Sequence, residues 1–348
     1  MGMGWRSAAL WAVLLGPACR CDKVTPPPTR AAQADDGFRR GVSLGLFVDT
    51  EDRGERRRWY ATFLDEIRDV GATDVSLVVV WTQADARASK LAREAGVTAP
   101  DEVLLMVMGL AAERGLRVML MPIVNLRQRR RGEWRGTLAP VDAGAWWASY
   151  TAFIEHYADL ARAGGAAVFS VGSELVSMEG PGADRWRALI RSVRGRFAGR
   201  LTYSANWDHF EPVPFWDALD VVGVTAYQTL SKKPAPTLDD LLAGWAGFRQ
   251  RLRRWAGAHD HRYLFTEVGY PAHPEGAARP WDHSLRGEAD PELQRRCYEA
   301  LRQTWQGDKR LEGIYIWNWF GKGGPEDPGY TPRGKPAEQI LRRWFTEP

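Results

Sequence analysis

Two glutamates end apolar segments of the chain. Glu174 closes the run "FSVGSE" and Glu267 closes the run "YLFTE". A buried Glu is rare unless it is paired or functional. If the two carboxyl groups face one another among aromatic side chains, one can act as a protonated acid and the other as an ionised nucleophile, which is the pair that hydrolysis of a glycosidic bond requires. The alternative is that each Glu forms an unrelated structural salt bridge.

The elements that would position these carboxyl groups alternate along the chain. Short β-branched runs are separated by segments of helical periodicity, such as residues 146–163 and the last one at 335–345. The predicted strands are 41–48, 74–81, 117–125, 167–174, 200–207, 220–227, 262–270 and 313–320. Strands that are apolar almost throughout are typical of parallel sheets buried on both faces. Eight strands alternating with eight helices predict an α/β protein with a single (β/α)8 barrel over residues 40–348. A doubly wound open sheet is the rival, but no GxGxxG motif follows the first strand.

Polar and aromatic residues concentrate at the C-terminal ends of the predicted strands, where a parallel barrel forms its site. Strands 4 and 7, which carry the two glutamates, face one another across the mouth of such a barrel. Any single one of these residues could instead cap the next helix. The strand-end residues expected around the site are Trp81, Asn125, Glu174, Asn206, Trp207, Tyr227, Glu267, Tyr270, Trp317 and Trp319.

Several long strings in a fixed order resemble a known family. They include "EWRGTLAP" (133–140), "VGSEL" (171–175), "LTYSANWD" (201–208), "LFTEVGYPA" (264–272) and "GIYIWNWF" (313–320). Over residues 40–346 the chain resembles the retaining glycosidases of clan A, and within them glycoside hydrolase family 113, the bacterial endo-β-mannanases.

The resemblance implies roles for particular residues. Glu174 matches the acid/base and Glu267 the nucleophile. Tyr227 matches the tyrosine that hydrogen-bonds the nucleophile, and we expect it to keep Glu267 ionised while the charge of Glu267 raises the pKa of Glu174. Trp317 matches the floor of the −1 subsite. Further family positions around the cleft are Trp134, Arg135, Asn206 and Trp207.

The chain departs from its relatives at two positions. Ser173 precedes the acid/base where many clan members have Asn, and Thr225 stands where some relatives have an acidic residue. Both positions bear on the choice of sugar, and Ser173 is included among the expected substrate-binding residues.

Composition and charge exclude other classes of function. Lys and Arg number 47 against 43 Asp and Glu, a net charge of +4 spread along the chain, which gives little support to nucleic-acid binding. The 17 Trp suit sugar rings, although Trp also fills cores. Neither HExxH nor paired-Cys spacing is present, so we expect no metal and no other cofactor.

The basic run Arg127 to Arg131 is either a solvated loop or a surface for an acidic polysaccharide. We interpret Glu179 and Glu211 as surface charges, and Cys297 as a small apolar residue of a helix.

The N-terminal residues predict export. The apolar run from Ala8 to Leu15 is too short to span a bilayer and fits a signal peptide over residues 1–21. Cys19 follows small residues, as in a lipoprotein cleavage site, although Gly16 stands where such sites usually have Leu. Ordinary signal-peptidase cleavage is the alternative. Residues 22–39 read as a Pro-rich linker. We therefore expect a cell-envelope lipoprotein or a secreted protein.

These observations predict a retaining glycoside hydrolase that acts on β-1,4-mannan or on manno-oligosaccharides. One alternative is the same chemistry on another β-glycan, such as glucan or xylan. The other is a non-catalytic lipoprotein that binds carbohydrate at the cell surface. We expect a monomer whose partner is its saccharide substrate, with membrane attachment only through an N-terminal lipid.

Overall fold

Eight parallel strands close into a barrel in strand order β1 to β8, and β8 pairs with β1. The computed structural model describes residues 37–47, 50 and 52–347, so the predicted signal peptide with Cys19 and most of the linker lie outside the described residues. The strands are β1 (Arg39–Gly45), β2 (Asp74–Gln83), β3 (Arg117–Leu126), β4 (Val168–Ser173), β5 (Arg200–Asn206), β6 (Val222–Thr225), β7 (Tyr263–Val268) and β8 (Leu311–Ile316). The predicted (β/α)8 barrel is confirmed.

Helices surround the barrel and follow the strands. They are α1 (Arg53–Asp69), α2 (Asp101–Glu113), α3 (Ala143–Ala163), α4 (Val176–Glu179), α5 (Ala183–Arg196), α6 (Leu238–Ala258), α7 (Pro291–Trp305) and α8 (Pro336–Thr346). Several begin at a side-chain cap: the carboxylate of Asp142 accepts from the backbone N–H of Ala145, and that of Asp290 from Leu293. Each such cap stabilises a helix by about 1 kcal/mol. Cys297 is buried on α7, as expected.

Two layers of apolar side chains hold the barrel together, because side chains alternate between the faces of a strand. On β2, Val78 and Val80 point into the barrel and pack with Met121 of β3. The alternate residues Val75 and Leu77 point outward and join the larger core between the sheet and the helices. A polar residue at the C-terminal end of a strand therefore reaches the mouth of the barrel only if its side chain does not lie on the outward face, which packs against the helices.

The alternation of strands and helices is irregular in one place. Both α4, a single turn, and α5 follow β4, whereas the connection from β5 to β6 contains only a 3-10 turn at Trp216–Ala218. Pro212 and Pro214 lie in this connection, and proline lacks the N–H that a helix interior needs. Among the described residues, no helix combines the length and the apolar character that a membrane crossing requires.

Candidate active site

Glu174 lies directly after β4, at the mouth of the barrel. Its Oε1 accepts a hydrogen bond from the hydroxyl of Thr225 at 2.7 Å, and its Oε2 accepts from Nη1 of Arg135 at 2.9 Å. The backbone of Glu174 has φ +56°, a left-handed conformation that is uncommon outside glycine. Such strain persists where the surrounding structure enforces it, and it concentrates at functional sites.

Glu267 lies in β7, and its carboxylate is buried. The neighbouring strand is β6, whose Thr225 contacts Glu174. Its Oε2 accepts a hydrogen bond from the hydroxyl of Tyr227 at 2.7 Å. Thr225 pairs with Glu267 in the register of β6 and β7, while the Thr225 side chain bonds Glu174. The end of β6 therefore connects the two carboxyl groups, which are brought to one site as the sequence predicted.

Burial and repulsion govern the titration of this pair. Burial, followed by the negative charge of Glu174, raises the pKa of Glu267 to about 8, against the lowering effects of Tyr227 and Arg135. The Tyr227 hydrogen bond is present as expected, and it opposes the rise in the pKa of Glu267, although one phenol donor does not offset burial beside a second carboxylate. Glu267 therefore holds a proton more firmly than an isolated carboxyl group does.

Arg135 is fixed by the end of β3. Its Nε donates to the carbonyl of Val124 at 3.2 Å, and its Nη2 lies 3.4 Å from Oδ1 of Asn125. The predicted residues Arg135 and Asn125 thus meet at the site, with Arg135 bonded to Glu174. The guanidinium gives that carboxyl group a charge-assisted hydrogen bond.

Trp317 lies at the top of the barrel interior. It is half-buried and packs on the inward-facing cluster that contains Met121 and Tyr315. The end of β7 approaches it so closely that a Cβ at Gly269 would lie 2.2 Å from the Trp317 carbonyl, so only glycine fits there. This placement agrees with a floor beneath a bound sugar. Ser173 is buried, and its hydroxyl has no hydrogen-bond partner among the described residues.

Three expected residues point away from the mouth. Trp81 is on the outward face of β2 and packs against Phe153 of α3. Tyr270 is fully buried against α7, and Trp319 donates from Nε1 to Glu66 of α1 at 2.9 Å. Trp81 points outward because of its place in the alternation of β2, whereas Tyr270 and Trp319 lie two and three residues beyond the ends of β7 and β8, which the sequence extends to residues 270 and 320. Their placement does not support the expected contact with substrate.

Other expected residues occupy the rim of the mouth. Trp134 precedes the 3-10 turn Arg135–Thr137, and the amide of Asn206 donates to Asp208 at 2.7 Å. Trp207 stacks near-parallel with Trp281, a residue that sequence reasoning did not identify. The basic run of residues 127–131 is exposed, as expected for a solvated loop.

Sequence reasoning also misjudged two residues near Glu174. Thr225 was noted only as a departure from relatives, although its hydroxyl bonds the carboxylate. Glu179, interpreted as a surface charge, is 1% exposed, and its Oε1 accepts from the Tyr203 hydroxyl at 2.6 Å. A polar partner 24 positions away gives no local signal in the sequence.

Glu211 is exposed, as interpreted, and its Oε1 lies 3.8 Å from Nε of Arg251. In the described part of the chain, no group of His, Cys, Asp and Glu is placed to hold a metal ion.

Comparisons with known proteins agree with this geometry. Residues 49–331 match the model of Glycoside Hydrolase Family 113. A family 113 β-mannanase from Alicyclobacillus acidocaldarius, solved in complex with ManMIm, is 30% identical over 90% of this chain and 98% of that chain, with a TM-score of 0.79. A family 113 β-1,4-mannanase at 24% identity covers 90% of this chain and 100% of its own, also with a TM-score of 0.79, and supports the fold. No curated protein gave a significant match.

Proposed function

The chain belongs to glycoside hydrolase family 113, and from that premise we propose that it is a retaining β-mannanase that cleaves β-1,4-linked mannan by double displacement. The observation that carries the proposal is the pair of buried carboxyl groups at the barrel mouth, Glu174 bonded to Arg135 and Thr225 and Glu267 bonded to Tyr227. A solved β-mannanase with 30% identity supports the choice of mannan.

In the first step, Glu267 attacks the anomeric carbon while Glu174 donates its proton to the leaving oxygen. The reactive form therefore carries the proton of the pair on Glu174 and leaves Glu267 ionised, with Tyr227 donating to it. As Glu174 gives up its proton it becomes a carboxylate, and Arg135 and Thr225 are already in place to stabilise that charge. The bond between the anomeric carbon and the leaving oxygen breaks, and a glycosyl ester on Glu267 forms.

In the second step, Glu174 removes a proton from water, and the hydroxide attacks the anomeric carbon. The ester bond to Glu267 breaks, which restores its carboxylate, and Glu174 is protonated again. Two inversions at the same carbon leave the configuration of the sugar unchanged. Tyr227 supplies the hydrogen bond that the departing Glu267 carboxylate needs in its buried position.

The same chemistry on β-glucan or xylan is the nearer alternative, since the departures at Ser173 and Thr225 lie beside the acid/base. A non-catalytic carbohydrate-binding role is disfavoured by the hydrogen bonds that hold both carboxyl groups at the mouth, because binding alone has no need for two buried acids. Export, with or without lipidation at Cys19, stays a prediction.

Release of reducing sugar from mannan, glucomannan, xylan and β-glucan tests the proposal, with Glu267→Ala as the inactive control. We expect the highest kcat/KM on mannan or glucomannan and no release by the control. Higher activity on xylan or β-glucan would assign a different substrate class and leave the proposed mechanism unchanged. Binding of mannan without release by the wild-type protein would favour the non-catalytic role.

A further inference from the structure

Glu179 is a buried carboxyl group that the proposed mechanism does not use. It is the last residue of α4, the single turn that follows Glu174, and it is almost fully buried. Burial raises the pKa of Glu179 to about 8, against the lowering effect of a hydrogen bond from Tyr203. A carboxyl group that is costly to bury is found in a protein interior mainly where it is paired or functional. The contacts of Glu179 therefore indicate its role.

The chain turns at Glu174, and the N–H group after this turn bonds a side chain instead of a strand. β4 ends at Ser173, and the backbone of Glu174 has the left-handed φ of +56°. The N–H of Glu174 donates to the carbonyl of Ser204 on β5 at 2.8 Å, as in a sheet. The N–H of Leu175 donates to the hydroxyl of Tyr203, also on β5, at 2.7 Å. The peptide unit that follows the acid/base is thus fixed by a tyrosine.

The hydroxyl of Tyr203 accepts this bond because its own proton is directed to another acceptor. That proton is donated to Oε1 of Glu179 at 2.6 Å. The ring of Tyr203 packs in the core outside the barrel against the rings of Trp186 and Phe215, at centroid distances of 5.2 and 5.3 Å. Neither of these side chains has an oxygen that could accept the proton. Glu179 therefore sets the direction of the hydroxyl, and the free lone pair of that hydroxyl faces the N–H of Leu175.

The helical turn that ends at Glu179 is itself fixed by hydrogen bonds to its neighbours. Within α4, the carbonyl of Met178 accepts from Nε1 of Trp186 on α5 at 3.0 Å. The hydroxyl of Ser177 donates to the carbonyl of Leu138 at 2.7 Å, directly after the 3-10 turn that begins with the arginine bonded to the acid/base. The carboxylate of Glu179 therefore has a defined position relative to both β5 and the acid/base.

The second carboxylate oxygen of Glu179 faces a histidine. Oε2 lies 3.5 Å from Nε2 of His209, and it accepts no hydrogen bond from the residues that the structure describes. Only Oε1 is therefore bonded to Tyr203. A glutamine at this position can place its carbonyl oxygen at the same hydroxyl and its amide nitrogen toward His209. Glu179→Gln thus preserves the acceptor for Tyr203, whereas Glu179→Leu removes it.

We propose that Glu179 is a positioning residue for the acid/base. It orients the hydroxyl of Tyr203, which fixes the N–H of Leu175 and with it the left-handed backbone that directs the carboxyl group of Glu174 into the mouth. The inference rests on the proposed function and adds a residue that acts on proton transfer without touching the substrate. Since a misplacement of about 1 Å can cost about 10²-fold in rate, we expect a partial loss of this bond path to cost about 10-fold.

Two substrates separate this role from general damage to the site. With mannopentaose the first step needs a proton from Glu174, whereas with an activated aryl β-mannoside it needs none. In Glu179→Leu, kcat/KM on mannopentaose should fall about 10-fold, while kcat/KM on the aryl mannoside should change less than about 2-fold. Glu179→Gln should recover most of the loss on mannopentaose.

Glu299→Leu is the matched control for the removal of a buried carboxyl group. Glu299 is 7% exposed, but it lies on α7, where it accepts from Nη2 of Arg302 at 2.8 Å and from Nη2 of Arg343 at 2.7 Å. Its loss should lower the free energy of unfolding. The ratio of the two kcat/KM values should stay within about 2-fold of the wild-type ratio, because this carboxyl group has no path to the acid/base.

Two results in an active protein would overturn the inference. One is a ratio of the two kcat/KM values that Glu179→Leu leaves unchanged, whether both values fall together or neither falls. The other is a loss of mannopentaose binding, measured in the inactive Glu267→Gln background, as large as the loss of kcat/KM, which would assign Glu179 to substrate binding. A wild-type protein that turns over neither substrate would instead refute the proposed function, and the inference with it.

Tyr203→Phe provides a second test, which also serves if Glu179→Leu does not fold. It removes the hydroxyl between the carboxylate and the N–H of Leu175, so kcat/KM on mannopentaose should again fall about 10-fold while the value on the aryl mannoside changes little. If Glu179 acts through Tyr203, adding Glu179→Gln to Tyr203→Phe should lower kcat/KM by less than about 2-fold more. An unchanged ratio in folded Tyr203→Phe would overturn the inference.

Discussion

The two ends of the barrel bury carboxylates in opposite ways. At the end where the strands begin, Asp74 is completely buried and bonded to Nη1 of Arg39 at 2.7 Å and to Nη2 of Arg117 at 2.6 Å. At the mouth, Glu174 and Glu267 repel each other, and Arg135 bonds only the first of them. The first arrangement links three neighbouring strands by satisfied charges, whereas the second raises the pKa of Glu267.

The difference shows where the molecule accepts an electrostatic cost. A buried carboxylate with cationic partners is structural, and removing one partner leaves an uncompensated charge. Two buried carboxylates side by side destabilise the fold, but they provide the acid and the nucleophile that hydrolysis needs. Substitutions at the mouth should therefore change activity, and substitutions at the opposite end should change stability.

The largest effect is expected for Glu267→Ala. Loss of the nucleophile should lower kcat/KM on mannan by more than about 10⁴-fold, while the protein stays folded. Azide should restore turnover of an activated aryl glycoside and give the product of inverted configuration, since a small anion can attack from the vacated face. Near-normal activity in this variant would mean that Glu267 is not the nucleophile.

Glu174→Gln should follow, with a loss of about 10²- to 10⁴-fold on substrates with poor leaving groups. Activated aryl glycosides need no proton, so their first step should be spared. Removing the charge of Glu174 also removes a cause that raises the pKa of Glu267, which should move to lower pH. The pH profile of the residual activity on manno-oligosaccharides should lose its alkaline limb, and the acid limb on an aryl glycoside should move to lower pH. A retained alkaline limb would identify another acid.

Asp74→Ala tests the opposite end of the barrel. It removes a buried carboxylate that bonds both Arg39 and Arg117, and we expect the free energy of unfolding to fall by about 3–5 kcal/mol. Under conditions where the variant is folded, its kcat on mannan should differ from that of the wild type by less than about 2-fold. Chemical denaturation and steady-state kinetics on the same sample measure both. A large loss of kcat in a folded variant would contradict the assignment of stability to this end of the barrel and of activity to the other.

Glu267→Gln should stabilise the protein in a defined pH range. The fold raises the pKa of Glu267 from 4.5 to about 8, so the folded state binds more protons than the unfolded state between those values, and stability falls as pH rises through them. The neutral amide avoids this cost. Above pH 8 its free energy of unfolding should exceed that of the wild type by roughly 2–4 kcal/mol, and at pH 4 the two should agree. Equal stability at pH 9 would contradict the buried, repelled state of Glu267.

The strand ends and the two glutamates could be predicted because each follows an apolar run that ends in polar residues. Which face a strand-end residue occupies could not, since one residue of slip moves a side chain from the mouth to the helices. Trp81 was misplaced for this reason, whereas Trp319 lies beyond the end of β8, which the sequence extends to residue 320. The bond from Thr225 to Glu174 joins residues 51 positions apart and depends on the register of three strands.

The contacts outside the predicted strands were the hardest to anticipate. Trp281 lies in a long connection without helical or strand periodicity, so its approach to Trp207 depends on tertiary structure alone. Glu179 was interpreted by its charge, whereas in the fold it ends α4 and accepts a hydrogen bond from Tyr203 of β5. Local patterns carry no information on such pairs.

Trapping of the glycosyl-enzyme tests the central claim most directly. A 2-deoxy-2-fluoro-mannosyl fluoride slows both steps, but its activated leaving group lets the first proceed, so the ester accumulates on the nucleophile. Peptide mass spectrometry of the labelled protein should show one added fluorosugar, on the peptide that contains Glu267, and none in Glu267→Gln. A label on Glu174 or Glu179, or no label in a protein that releases sugar with inverted configuration, would contradict the account.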